Sequence, residues 1–162
     1  MKKLLDDFPF VSVETALMLF RLALAAVFVG HAGMRLYLQH DLAQSAESLA
    51  IRGVPFSMAL AWLVTVFELL GGVLLVLNRY TRWIALGFFL ISVATMALVQ
   101  VHAGWWVAEY GDGGMEFSAV VCAMCLFLAA VDRAQQEQRQ PEETGLPVRV
   151  PQLGLPTLPR RG

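Results

Sequence analysis

The chain has 162 residues, 57% of them hydrophobic and 15% charged, with a formal net charge of -1 and a mean hydropathy of +0.60. Soluble domains carry about 25% charged residues, so this composition points to lipid rather than water as the surrounding solvent. It excludes a nucleic-acid-binding protein, since no basic face or run exists to meet phosphates, and two cysteines exclude a disulfide scaffold.

Residues 1–14 mix Leu4, Leu5, Phe8, Phe10 and Val11 with acidic side chains. They are expected at the membrane surface, with Pro9 preventing one continuous helix. The start, Met1-Lys2-Lys3, resembles a signal peptide, but Asp6, Asp7 and Pro9 follow at once and the next apolar run contains Arg21. The segment is therefore expected to be retained. A first span is expected over about residues 15–36. Its Ala23, Ala26, Gly30 and Gly33 form a small-residue stripe at three- and four-residue steps, where another helix can approach closely.

Residues 39–53 are too polar to stay in hydrocarbon, yet Leu42, Ala43, Ala46, Leu49 and Ala50 recur at helical spacing. They predict a short amphipathic helix lying over one end of the bundle. Gly53 and Pro55 end it, and spans follow over about residues 56–77 and 82–102, joined by a tight connection. A polar loop with Asp112, Gly113 and Gly114 leads to a fourth span over about residues 116–131. About twenty apolar residues cross the hydrocarbon, so the fourth must borrow from its flanks. Residues 133–162 read as a polar, then proline-rich tail without a packed structure. The expected architecture is all-α: an integral membrane four-helix bundle spanning residues 15–132.

With an even number of spans both termini share one side. That side collects Lys2, Lys3, Arg79, Arg82, Arg133, Arg139, Arg149, Arg160 and Arg161, against Arg35 and Arg52 on the other. The positive-inside rule puts both termini in the cytoplasm.

Ionisable residues inside these spans are the candidates for function, because charge in hydrocarbon is costly unless paired or used. Glu68 lies near mid-membrane, and Arg21 lies a turn or two from the cytoplasmic end of the first span. Counting about 1.5 Å per residue brings Arg21 within reach of Glu68, so a structural Arg21–Glu68 ion pair is expected. His31 and Arg35 fall near the outer end, as do His102 and Glu116. On the second span Ala61, Thr65, Glu68, Gly72 and Leu75 share one stripe; on the third Ser92, Thr95, Val99 and His102 do. Both stripes should face the interior. His31, His102 and Glu116 could hold zinc or iron by ligand type, but no tight metal motif is present. Cys122 and Cys125 have redox C-x-x-C spacing. Their neighbours are apolar and they point away from the polar cluster, so they read as small core residues rather than reactive thiols.

The run from Arg21 through His31 to Gly33 resembles the first helix of DoxX-like membrane proteins. So do Gly53 to Pro55, Glu68 followed by Gly71 and Gly72, His102 closing the third span, and Gly114 with Glu116 opening the fourth. The resemblance extends over residues 21–131; Arg35 stands where the family often has Lys. It implies a bundle in the bacterial inner membrane and a link to quinone and sulfur redox chemistry, including a subunit of thiosulfate:quinone oxidoreductase. Thiol-handling or superoxide-removing soluble partners are also implied.

On that basis the expected function is a membrane redox subunit that binds quinone in the outer half of the bundle. His31, His102 and Arg35 would contact the quinone, and Glu68 or Glu116 would exchange protons. Electrons would come from a partner, since no haem, flavin or iron–sulfur motif is present. The alternative is a non-catalytic membrane anchor for soluble partners, alone or as a homo-oligomer. A small transporter is disfavoured, because no inverted repeat is visible.

Overall fold

A computed structural model describes residues 11–102, 104–106 and 114–144. Five helices account for most of them: α1 (Val13–Tyr37), α2 (Gln39–Ile51), α3 (Ser57–Val76), α4 (Thr81–Leu98) and α5 (Met115–Thr144). A short 3-10 turn, Gln100–His102, follows α4. The expected interfacial segment falls largely on residues 1–10, which lie outside the described residues, as does the proline-rich stretch 145–162.

Four of the helices are long and apolar enough to cross a membrane: α1, α3, α4 and the first 23 residues of α5. Their outward faces carry Leu63, Leu70, Val73, Leu90, Val120 and Leu126, each more than half exposed. In water such a surface would drive aggregation; in hydrocarbon it is solvated. The all-α membrane bundle expected from hydropathy is the architecture found.

Local chemistry explains the helix ends. Ser12 caps α1 by accepting from the Thr15 backbone N–H at 3.2 Å, which satisfies one of the orphan donors of the first turn. Gly53, at φ 79°, makes the left-handed turn that ends α2. Between α3 and α4 the chain turns through left-handed Asn78 and Tyr80, and Thr81 donates to the Asn78 side chain at 3.1 Å.

The core forms where the spans meet: Leu24 and Phe28 of α1, Leu75 of α3, Ala85 and Phe88 of α4, and Val121, Cys125 and Leu128 of α5. Phe28 stacks on Phe88 with ring centroids 3.8 Å apart, and Phe67 meets Phe88 edge-on at 5.6 Å. The bundle is built from two close helix pairs, α4 with α5 and α1 with α3, and α2 rests on α3 and α1.

Glycines set how close α3 comes to α1 and to α4, but not those of the small-residue stripe on α1. A methyl group at Gly72 would overlap Val29 of α1 and lie 3.6 Å from the Ala25 carbonyl oxygen; at Gly87 it would overlap the Phe67 ring. By contrast, Gly30 and Gly33 have open space where a Cβ would stand, and Ala23 and Ala26 are exposed. Among the described residues no helix occupies the Ala23–Gly33 stripe. The buried face of α1 is the adjacent one, Leu24, Ala25, Phe28 and Ala32.

Two boundaries also differ from the sequence reading. The third span stops as an α-helix at Leu98 and reaches His102 only through the 3-10 turn. The helix that holds the fourth span runs on past Val131 to Thr144. Beyond Val131 the helix is polar and supported by spaced pairs, Arg133 Nε to Glu137 at 2.7 Å and Gln136 Nε2 donating to Asp132 at 2.8 Å. Falling hydropathy marks where a helix leaves lipid, not where it ends.

Candidate functional site

The inward stripe of α3 is buried as expected: Ala61, Thr65, Glu68, Gly71, Gly72 and Leu75. Glu68 is 2% exposed, and Thr65 is fully buried. Thr65 spends its hydroxyl proton on the Ala61 carbonyl one turn back, at 2.8 Å, which leaves its oxygen free to accept.

The cation that meets Glu68 is Arg35. Its Nη1 lies 2.8 Å from Glu68 Oε2, its Nη2 donates to Oε1 at 3.2 Å, and Nη1 also donates to Thr65 Oγ1 at 3.2 Å. The expected Arg21–Glu68 pair is not formed; Arg21 is half-buried, with its Nε lacking a hydrogen-bond partner. The reason is helix stagger. Gly72 lies against Val29 and the Ala25 carbonyl, so Glu68, one turn earlier on α3, comes level with α1 near residue 31. Arg35 is then one turn away and Arg21 about ten residues, roughly 15 Å, in the other direction. Depth counting had assumed that the two helices begin flush.

Arg35 and Glu68 open onto a cavity of about 120 Å³ between α1, α3, α4 and α5. Its polar lining is His31, Arg35, Glu68, Ser92, Thr95, Gln100 and Ser118, and Phe28, Ile91 and Phe117 are among its apolar walls. Taking roughly 30 Å³ per water, it has room for about four waters or one small ring. Glu68 Oε2, held in its ion pair with Arg35, and Gln100 Oε1 are buried oxygens without an aligned hydrogen-bond donor from the protein. Water or a donating ligand group in the cavity would satisfy them.

His31 joins this cavity from α1, its ring centroid 6.5 Å from that of Phe117. Glu116 opens α5 at the same end of the bundle and is not among the lining residues. Its backbone N–H donates to the Trp105 carbonyl at 3.2 Å, which ties the start of α5 to the chain leaving α4. His102 stands in the 3-10 turn at this end; its side chain lies outside the described residues. Among the described residues no group of three or more His, Cys, Asp or Glu side chains is arranged to hold a metal ion. Trp105 and Trp106 are about half exposed, as in an interfacial belt.

Gln100, Phe117 and Ser118 were not singled out from sequence. Gln100 and Ser118 were detectable as single polar residues in apolar surroundings, but nothing in the chain says that they face the same space. Cys122 and Cys125 are free thiols, both buried, and Cys125 belongs to the core cluster; neither lines the polar cavity.

A larger groove of about 760 Å³ lies at the opposite end, along α4 and α5. Its charges already have partners: Arg82 lies over the Trp83 ring at 4.9 Å, and the Arg133–Glu137 pair is well exposed. The small cavity, with a buried acid and its ion pair, is the better candidate.

Fold and cavity together define a multi-pass membrane bundle with a polar chamber inside it. The chain belongs to the DoxX family, whose model matches residues 16–103, from α1 to just past the 3-10 turn. No curated protein and no solved structure matches it.

Proposed function

We propose that this DoxX-family protein is a quinone-binding subunit of a membrane redox system that serves sulfur or thiol chemistry or the response to oxidative stress. It sits in a bacterial inner membrane with both termini cytoplasmic, so that the polar cavity lies in the outer half. The basic residues of the Arg79–Arg82 connection support that orientation.

The observation that carries this reading is the buried Arg35–Glu68 ion pair beside a ring-sized cavity that His31, Ser92, Gln100 and Ser118 also line. Reducing a quinone to a quinol takes two electrons and two protons. The electrons come from a soluble partner, because the chain has no haem, flavin or iron–sulfur motif. The protons pass through the cavity. Glu68 takes up a proton and gives it to one ring oxygen, Arg35 stabilises the carboxylate left behind, and the second proton reaches the other ring oxygen from water entering the cavity. His31 hydrogen-bonds a ring oxygen from α1.

The test is a binding titration of purified protein with a one-ring quinone and its quinol, beside Glu68→Gln and His31→Ala. Both variants should keep their helical signal and weaken binding at least tenfold. Unchanged affinity in both, or no binding by the wild type, would rule the reading out.

A second reading is favoured by the polar extension of α5 to Thr144, which offers soluble partners a helical surface beyond the membrane. In that case the bundle is an anchor. Truncation after Asp132 would then release the partners, while Glu68→Gln would affect only stability.

A further inference from the structure

A second groove, of about 410 Å³, runs between α2, α3 and α4. Its floor and walls are apolar, among them Leu49, Leu60, Val64, Leu90, Ala94 and Leu98. It adjoins the polar cavity: Arg35, Ile91 and Thr95 line both. These three residues thus stand between a small polar chamber and an apolar trough bordered on one side by α2.

A polar chamber and an apolar trough that share three residues match one amphiphile better than two ligands. We infer that the trough seats the hydrocarbon tail of the molecule whose ring occupies the polar cavity, so that the ligand is a lipid-tailed, one-ring quinone or quinol. This rests on the function proposed above and specifies its ligand class. It also gives α2 a role. An amphipathic helix that leaves the membrane between two spans would otherwise only cap the bundle; here it closes the trough against lipid through Ser45, Ser48 and Leu49. Ser45 is held in place by donating to the Asp41 carbonyl at 2.7 Å.

Lipid chains are as apolar as leucine, so the trough gains little simply by removing a tail from water. Its contribution is packing and orientation. A tail held between α3 and α4 fixes the ring's approach past Thr95 to Glu68, and its contacts must outweigh the entropy lost in ordering a flexible chain.

The experiment uses full-length protein in nanodiscs of a neutral phospholipid. A tail-less one-ring quinone and the same ring with a ten-carbon tail are titrated, with affinities expressed as membrane mole fractions. The wild type should prefer the tailed compound about tenfold or more. Ala94→Trp, an exposed position on α4, and Leu60→Trp on α3 fill the trough. Both should remove that preference while leaving tail-less binding within about twofold. A tailed analogue with a photoreactive group at its chain end should also cross-link to α2 near Leu49, which tests the trough even if one tryptophan variant fails to fold. If ring binding survives but the tail preference is absent, or persists in both variants with no cross-link to α2, the trough assignment is overturned and the quinone reading stands. If the wild type binds neither compound, both fall.

Discussion

Arg35 reaches back along α1 to a carboxylate that has 3% of its side chain exposed, while its own side chain remains 22% exposed. The two partners should therefore respond differently to removal. Arg35→Ala strands Glu68 with no counter-ion, and breaking a buried pair in this way costs about 3–5 kcal/mol. Glu68→Gln leaves the arginine, which can swing its head group toward the interface, so the loss should be smaller, about 1–2 kcal/mol. A double replacement, Arg35→Met with Glu68→Leu, should recover most of the stability and none of the quinone binding. Urea unfolding in mild detergent, run on all three, measures the asymmetry. Equal losses in the two single variants would mean that the arginine is as trapped as the acid. Glu68 itself was legible in the sequence, as one acid in a run that lipid forbids to hold one. Its partner was not, because a sequence carries no information about stagger: a shift of a few residues between two helices moved the pair from Arg21 to Arg35.

At the scale of the helices, the register that selects Arg35 is set where Gly72 admits Val29. Gly72→Ala should force α1 and α3 apart and cost about 1–3 kcal/mol, as overpacking does. Gly30→Ala meets nothing within 4 Å and should be neutral or stabilising by up to about 1 kcal/mol, since alanine favours helix over glycine. Thermal unfolding of the two variants distinguishes them, and a large loss at Gly30 would instead indicate a second chain seated on that stripe. The same faces decide the cysteines. Cys122 is 9% exposed and Cys125 1%, inside a packed α4–α5 pair. A water-soluble maleimide should label neither in the folded protein and both after denaturation; rapid labelling of the native protein would reopen the redox reading of the pair. The inward stripe of α3 was readable because its polar residues repeat at three- and four-residue steps. The stripe of α1 meets no other described helix, because small residues suit a helix contact without specifying one.

For the whole molecule, hydropathy was a sufficient guide to the four spans, since a chain in hydrocarbon must satisfy its backbone internally and has few ways to do so. The cavity was not legible at that scale. It is assembled from α1, α3, α4, α5 and the 3-10 turn, and the order of helices around a bundle is not encoded in their hydropathy. Family membership agrees with the spans and leaves the chemistry to the chamber around Glu68. Whether that chamber is the ligand site is best measured directly, by irradiating the protein in membranes with a quinone analogue that carries a photoreactive group on its ring, and mapping the labelled peptides by mass spectrometry. Labels are expected on the cavity walls, at His31, Ile91 and Phe117, and should disappear when an excess of unmodified quinone competes. Labelling confined to the groove beside Arg82, Trp83 and Arg133 at the other end of the bundle, or spread over the lipid-facing residues without competition, would contradict a quinone site at the Arg35–Glu68 pair.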